Sequence, residues 1–249
     1  MPQTRENDSQ QRRSLLAQLD YVELAVSGRT SVVGSDLTDP GVMDWSAAAT
    51  IRDPSDEVGT ELESDLRVDG IALSTTTTAD HGQVLTLFEA DGIIIDLTRA
   101  DDVFDALDAR SADDAHFLPL FDGETGFSEI AEELDATLEI GASRVLIVHR
   151  VRIAPAWRGL GGVGRLLIGR TLAWMCTGSE LVAVNPFPID LGPHVSRDGE
   201  LFADSLRQVQ RTWASIGFNP FKDDIWIMDP ALGAHERAIA EISRELGLD

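Results

Sequence analysis

Apolar and polar positions along the chain change period several times, and the changes divide it into elements. From Ser14 to Ser27 an apolar pattern begins, with LDYVELAV readable as a helix end or a strand. From about Asp44 to Asp96 the texture is that of strands: WSAAATI, LRVDGIALSTTTT, GQVLTLFE and DGIIIDL alternate or run apolar between Gly, Asp and Pro breaks. QVLTLFE and GIIIDL, joined at Ala90-Asp91-Gly92, predict a hairpin, because Asp-Gly suits a tight turn. The period then becomes helical over Asp101–Arg110 and Ser128–Glu139, with Ser128 as N-cap. RVLIVHRVRI, Arg144–Ile153, predicts a strand. It is followed by a glycine-rich turn, a helix from about Val163 to Cys176 and the strand LVAV at 181–184. Asn185-Pro186-Phe187-Pro188 opens an irregular loop. Leu201–Ile216 reads as a helix, Asp224–Met228 as a short strand and Ala234–Leu248 as a terminal helix. Trp174, Met175 and Cys176 fall on the side of their helix expected to be buried. This order predicts an α/β fold.

Length allows one domain with a sizeable core: a disordered tail over 1–13, then a single domain over 14–249. Within it, 14–140 form an elaborated N-terminal part, 141–230 a binding core and 231–249 a C-terminal helix. No apolar run approaches the roughly 18 residues that cross a bilayer, and the first dozen residues lack the apolar stretch of a signal peptide. A lone cysteine, Cys176, and five scattered histidines suggest neither disulfide nor metal site. The expectation is a cytoplasmic, metal-free protein.

Charge changes this picture. With 43 acidic against 20 basic residues the net charge is −23, which argues against nucleic acid or an anionic membrane and favours cationic partners. Every basic residue but Lys222 is arginine. Yet no acidic residue occurs between Glu139 and Glu180, where Arg144, Arg150, Arg152, Arg158, Arg165 and Arg170 cluster. An acidic chain that clears one segment of carboxylates and loads it with arginine predicts an anion site there.

The glycine turn at its centre, RGLGGVGRLL from Arg158, frees backbone amides just before a helix, whose N-terminus favours anions. Three phosphate ligands can be weighed. A P-loop needs Lys and Ser or Thr where Arg165 and Leu166 stand. A dinucleotide fingerprint needs its first glycine directly after the strand, whereas Ala154–Arg158 intervene, and the next strand ends at Asn185 rather than at an acid. The third is a pantetheine pyrophosphate. Val151, Ile153, Pro155, Arg158, Gly159, Gly161 and Leu166-Leu167 follow the order strand, Val-x-Pro, Arg, Gly-x-Gly, helix. Downstream, Trp213-Ala-Ser-Ile-Gly217-Phe218 precedes the strand at 224–228. In these two landmarks, over roughly 143–229, the chain resembles the GNAT acetyltransferases. The glycine turn is one residue longer than the family pattern: counted from Arg158, Val163 stands where Gly or Ala is expected.

The resemblance implies a mixed central sheet flanked by helices, acetyl-CoA (or coenzyme A) as cofactor and an N-acetyltransferase moving an acetyl group to an amine acceptor, small molecule or protein. A homodimer is compatible with it. The backbone of Val151, Arg152 and Ile153 would hold pantetheine, and Gly159, Gly161, Gly162, Val163, Gly164, Arg158 and Arg165 the pyrophosphate. Asn185 is either a coenzyme A contact or the start of an Asn-Pro turn. His149 is the candidate base, with a core histidine as the competing reading. Glu61, Glu63 and Glu89 are alternative bases, and His194 and Ser196 candidate acceptor contacts. The family often places a tyrosine acid where Trp213 stands, and indole cannot supply a proton to a thiolate. A CoA-binding module without catalysis is therefore the second reading.

Overall fold

The computed structural model describes residues 10, 12–30, 39–52, 72–77, 83–122, 129–191 and 195–248. The expected disordered tail falls partly outside these residues, but 12–17 are helical, so the folded part begins before Ser14.

A mixed α/β architecture is built on one large sheet. In chain order its strands are β1 (Val22–Arg29), β2 (Val42–Arg52), β3 (Ser74–Thr77), β4 (Gln83–Asp96), β7 (Arg144–Ile153), β8 (Glu180–Val184), β9 (Asn219–Pro220) and β10 (Trp226–Met228). They lie in the order β1-β2-β4-β7-β8-β10-β9, with β3 on the edge of β4 beyond β7. All pairs are antiparallel except β7 with β8. A two-stranded ribbon, β5 (Phe121–Asp122) with β6 (Glu129–Ile130), stands apart.

Helices cover both faces. One face carries α1 (Val103–Arg110), α2 (Ala112–Ala115) and α3 (Glu132–Asp135), whose Val103, Leu107 and Leu134 pack with Ile93, Val145, Ile147 and Leu181. The other carries α4 (Val163–Met175), α5 (Glu200–Ala214) and α6 (Ala234–Leu246). There Leu166, Leu172, Trp213 and Ile242 pack with Leu146, Val148 and Val182. Alternate residues of β7 and β8 therefore enter different cores, as period-2 alternation requires. Among the described residues no helix is long and apolar enough to cross a membrane.

The structure corrects several expectations. Ala90-Asp91-Gly92 is not a hairpin turn, since β4 runs through it unbroken. A Cβ on Gly92 would stand 1.9 Å from the Ile147 carbonyl oxygen and 2.8 Å from Trp45 Nε1. The glycine marks a close approach, across which Trp45 Nε1 donates to that oxygen at 3.1 Å. The expected helix Ser128–Glu139 shrinks to the single turn α3, because Glu129 and Ile130 pair with β5 and Ala131 N–H donates to the Leu120 carbonyl. Ser128 lies outside the described residues. Trp174 is 71% exposed rather than buried: it lines a groove with Leu24, Val26 and Ile239 on the outer side of α4.

Candidate functional site

β7 and β8 run in register from Arg144 opposite Glu180 to Val148 opposite Val184, and then part. β7 continues to Ile153, while the other chain leaves the sheet at Asn185-Pro186. The edge of β7 from His149 onward thus faces a gap in place of a partner strand, and its backbone polar groups, apart from the Ile153 carbonyl that accepts from Arg158 Nε, are available to a ligand. The gap opens into a cleft of about 710 Å³, within the range of small-molecule sites. α4, α5 and the 187–191 loop wall it.

A bulge lies at the parting point. On β4, Gly92 pairs with Val148 and Asp91 with Arg150, so His149 is the extra residue. The bulge overturns strict alternation along β7. Val151 and Ile153 return to the face of Leu146 and Val148, under α4, instead of sharing the face of Val145 and Ile147. Arg150 and Arg152 accordingly leave the Leu146–Val148 face. Arg152 turns to Glu89 (3.8 Å) and does not line the cleft, so only its backbone remains available there.

The glycine turn closes one end. Gly159, Gly161 and Gly162 have φ of +70°, +77° and +109°, values that L side chains rarely adopt. Gly162 is the N-cap of α4 and no side chain caps the helix, which leaves its first amides open at the positive end of the dipole. Gly159, Gly161, Gly162, Val163, Gly164 and Arg165 all line the cleft, although Val163 is buried among core residues. Arg165 donates to Ser215 Oγ at 3.3 Å. Arg158 donates from Nε to the Ile153 carbonyl (3.1 Å) and pairs with Asp190 at 3.1 Å, tying the turn to the opposite loop.

Sequence spacing gave no sign of what surrounds His149. Its Nε2 lies 2.9 Å from Oδ1 of Asp114, a buried carboxylate on α2, at a distance but not an alignment suited to a hydrogen bond. Burial raises the Asp114 carboxyl, but the His149 ring, the Ser111 hydroxyl and Arg110 outweigh it and hold the pKa below its ordinary value. His149 keeps a fifth of its side chain exposed, although Nε2 itself is sealed. Across the gap, Asn185 lines the cleft and its side-chain amide is within hydrogen-bond distance of His116 Nε2 (3.0 Å). Only the tertiary structure brings Asp114 and His116, on and just after one short helix, under both strands.

Other candidates fall away from this centre. Glu89 is paired with Arg152, and Ser196 does not line the cleft. Glu61, Glu63 and His194 lie outside the described residues. Trp213 is buried edge-on against Phe218, with centroids 4.9 Å apart, and serves as cleft wall. Burial pushes the Cys176 thiol up to about 12, with Glu180 adding and Arg144 opposing, so no thiolate nucleophile forms there near neutral pH.

No family of known proteins, no curated protein and no solved structure matches the chain.

Proposed function

We propose that this chain is an acyltransferase of GNAT type that moves an acetyl group from acetyl-CoA to an amine. One observation carries the reading: two parallel strands part beside an uncapped helix N-terminus whose glycine turn has a left-handed backbone. That geometry supplies an unpaired strand edge and an anion cradle in one cleft, the two features that a pantetheine joined to a pyrophosphate needs. Gly159, Gly161 and Gly162 fit the group, because side chains there would meet a strained φ, and at Gly162 the Arg165 guanidinium as well.

In this reading the amides of the turn and of Val163–Arg165 hold the pyrophosphate. The edge of β7 at Val151–Ile153 would hold the pantetheine amides through the backbone groups that Arg158 leaves unpaired. Acetyl-CoA supplies the activated acyl group. His149, steadied by Asp114, takes the proton from the amine, and Asn185 stands on the other side of the gap. Trp213 offers no proton to the leaving thiolate, which therefore takes one from solvent.

A second reading, a CoA-binding module without catalysis, is favoured by the buried Trp213. Thermal unfolding with and without acetyl-CoA, alongside ATP-magnesium and NAD, tests the site. Ligand at about a hundred times its Kd contributes about 2.7 kcal/mol, a rise of roughly 5 to 10 °C for a chain of this size. A rise with acetyl-CoA alone is expected. No rise removes both readings, and a rise without thiol release over a broad amine panel selects the second.

A further inference from the structure

The cleft does not share the charge of the protein around it. Among the described residues its lining carries Arg150, Arg158 and Arg165 against Asp190 alone, in a molecule of net charge −23. Two of the three are already engaged. Arg158 is paired with Asp190, and Arg165 stands in the first turn of α4 beside the anion cradle. Arg150 is exposed and, among the described residues, makes no ion pair or hydrogen bond. A free guanidinium left in a carboxylate-rich surface, on the wall of a cleft, is a ready anion site.

Its face tells which anion. Val151 and Ile153 point to the α4 side, where the glycine cradle is. Arg150 pairs in register with Asp91, which is two residues from Ile93 and one from Ala90, residues that enter opposite cores. It therefore lies on the α1–α2 face together with His149. The cradle and Arg150 are on opposite faces of β7, so the phosphates of the cofactor are not its partner. Arg150 also follows His149 in the chain, and the bulge sends both side chains to one face.

We propose that Arg150 binds a carboxylate of the acceptor, so that the amine acylated in this cleft is that of an amino acid or a closely similar molecule. The inference rests on the acyl-transfer reading. The amine nitrogen forms a bond to the acyl carbon and the C–S bond breaks, its electron pair leaving on sulfur. The amine gives a proton to His149, and the thiolate gains one from solvent. Arg150 fixes the carboxylate a short distance from the base, which orients the nitrogen toward the thioester.

The test uses the full chain, acetyl-CoA and matched acceptors: phenylalanine with phenethylamine, and leucine with isopentylamine. Thiol release is followed, and rates are compared at equal free-base concentration. The expected kcat/KM is about tenfold or more higher for each amino acid than for its decarboxylated partner. Arg150→Gln removes that preference, mainly through KM, while the plain amines stay within about twofold and acetyl-CoA affinity is unchanged. A wild-type preference for the plain amines overturns the proposal. So does an Arg150→Gln variant that loses acetyl-CoA affinity, or an enzyme that binds acetyl-CoA yet acetylates neither amino acid. A wild-type protein that does not bind acetyl-CoA fails earlier, at the reading of the fold's cleft.

Discussion

Gly92 and Gly159 are glycines for different reasons, and the difference is measurable. At Gly92 the backbone is ordinary strand, but a Cβ would sit 1.9 Å from a carbonyl oxygen of the neighbouring strand. At Gly159 nothing lies within 4 Å of the added Cβ, and only φ, +70°, opposes a side chain. Gly159→Ala should therefore cost about 1 to 2 kcal/mol. Gly92→Ala should cost about 4 kcal/mol or more, because neither backbone can yield without breaking the sheet. Urea unfolding of the two variants checks this, and equal losses would refute the steric account of Gly92. The sequence showed that both positions were special, and it placed a glycine-rich turn before the helix that starts at Val163, as the structure has it at 159–162. It misread Gly92, because a glycine flanked by strand residues looks the same whether the chain turns there or another strand comes close. His149 shows the same limit: its alternate readings, base or core, differ only in what lies beneath it, and Asp114 is far away in the chain.

Single elements were legible where their pattern was self-contained. Arg144–Ile153 and the helix from Val163 are found where the periodicity places them. The Ser128–Glu139 pattern failed because neighbouring β5 captures its first residues, a competition that periodicity does not contain. At the joint between α4 and β8, Glu180 is buried and accepts from the amides of Thr177, Gly178 and Ser179, the Thr177 hydroxyl and Arg144. Part of the acid-free segment's arginine thus serves structure: Arg144 answers Glu180 rather than a ligand. Burial raises the Glu180 carboxyl, but the Thr177 and Gly178 contacts and Arg144 outweigh it, so its folded pKa lies below the ordinary 4.5. Its stabilisation is thus complete above about pH 4.5 and is lost as pH falls toward the folded value. Glu180→Gln should lower stability by about 2 to 3 kcal/mol at pH 7. The gap from wild type should narrow below pH 4.5. A gap that stays constant down to pH 3 would show that the carboxylate's charge is not what holds the joint.

For the whole molecule, −23 on a compact body means self-repulsion, while the cleft is locally positive. Salt should act on the two in opposite directions. Between about 10 and 200 mM NaCl the free protein's melting temperature should rise, since the Debye length falls from roughly 30 to below 10 Å. If the proposed acetyl-CoA site is as argued, its affinity should fall over the same range, because arginines and oriented amides would attract the phosphates less. Calorimetry and a binding titration at the two salts decide it; affinity that rises with salt would place the ligand away from the arginines. What the sequence by itself determined was the α/β class of the fold, most element positions in its C-terminal half and the acid-free, arginine-rich setting of the glycine turn. These depend on periodicity, glycine placement and local charge, all written within a few residues. Only the tertiary structure decided the parting of β7 and β8, the bulge that reverses the faces of Arg150 to Ile153, and the meeting of Asp114, His116, His149 and Asn185. Those follow from register and from packing between segments distant in the chain, where a shift of one residue exchanges the two faces of a strand.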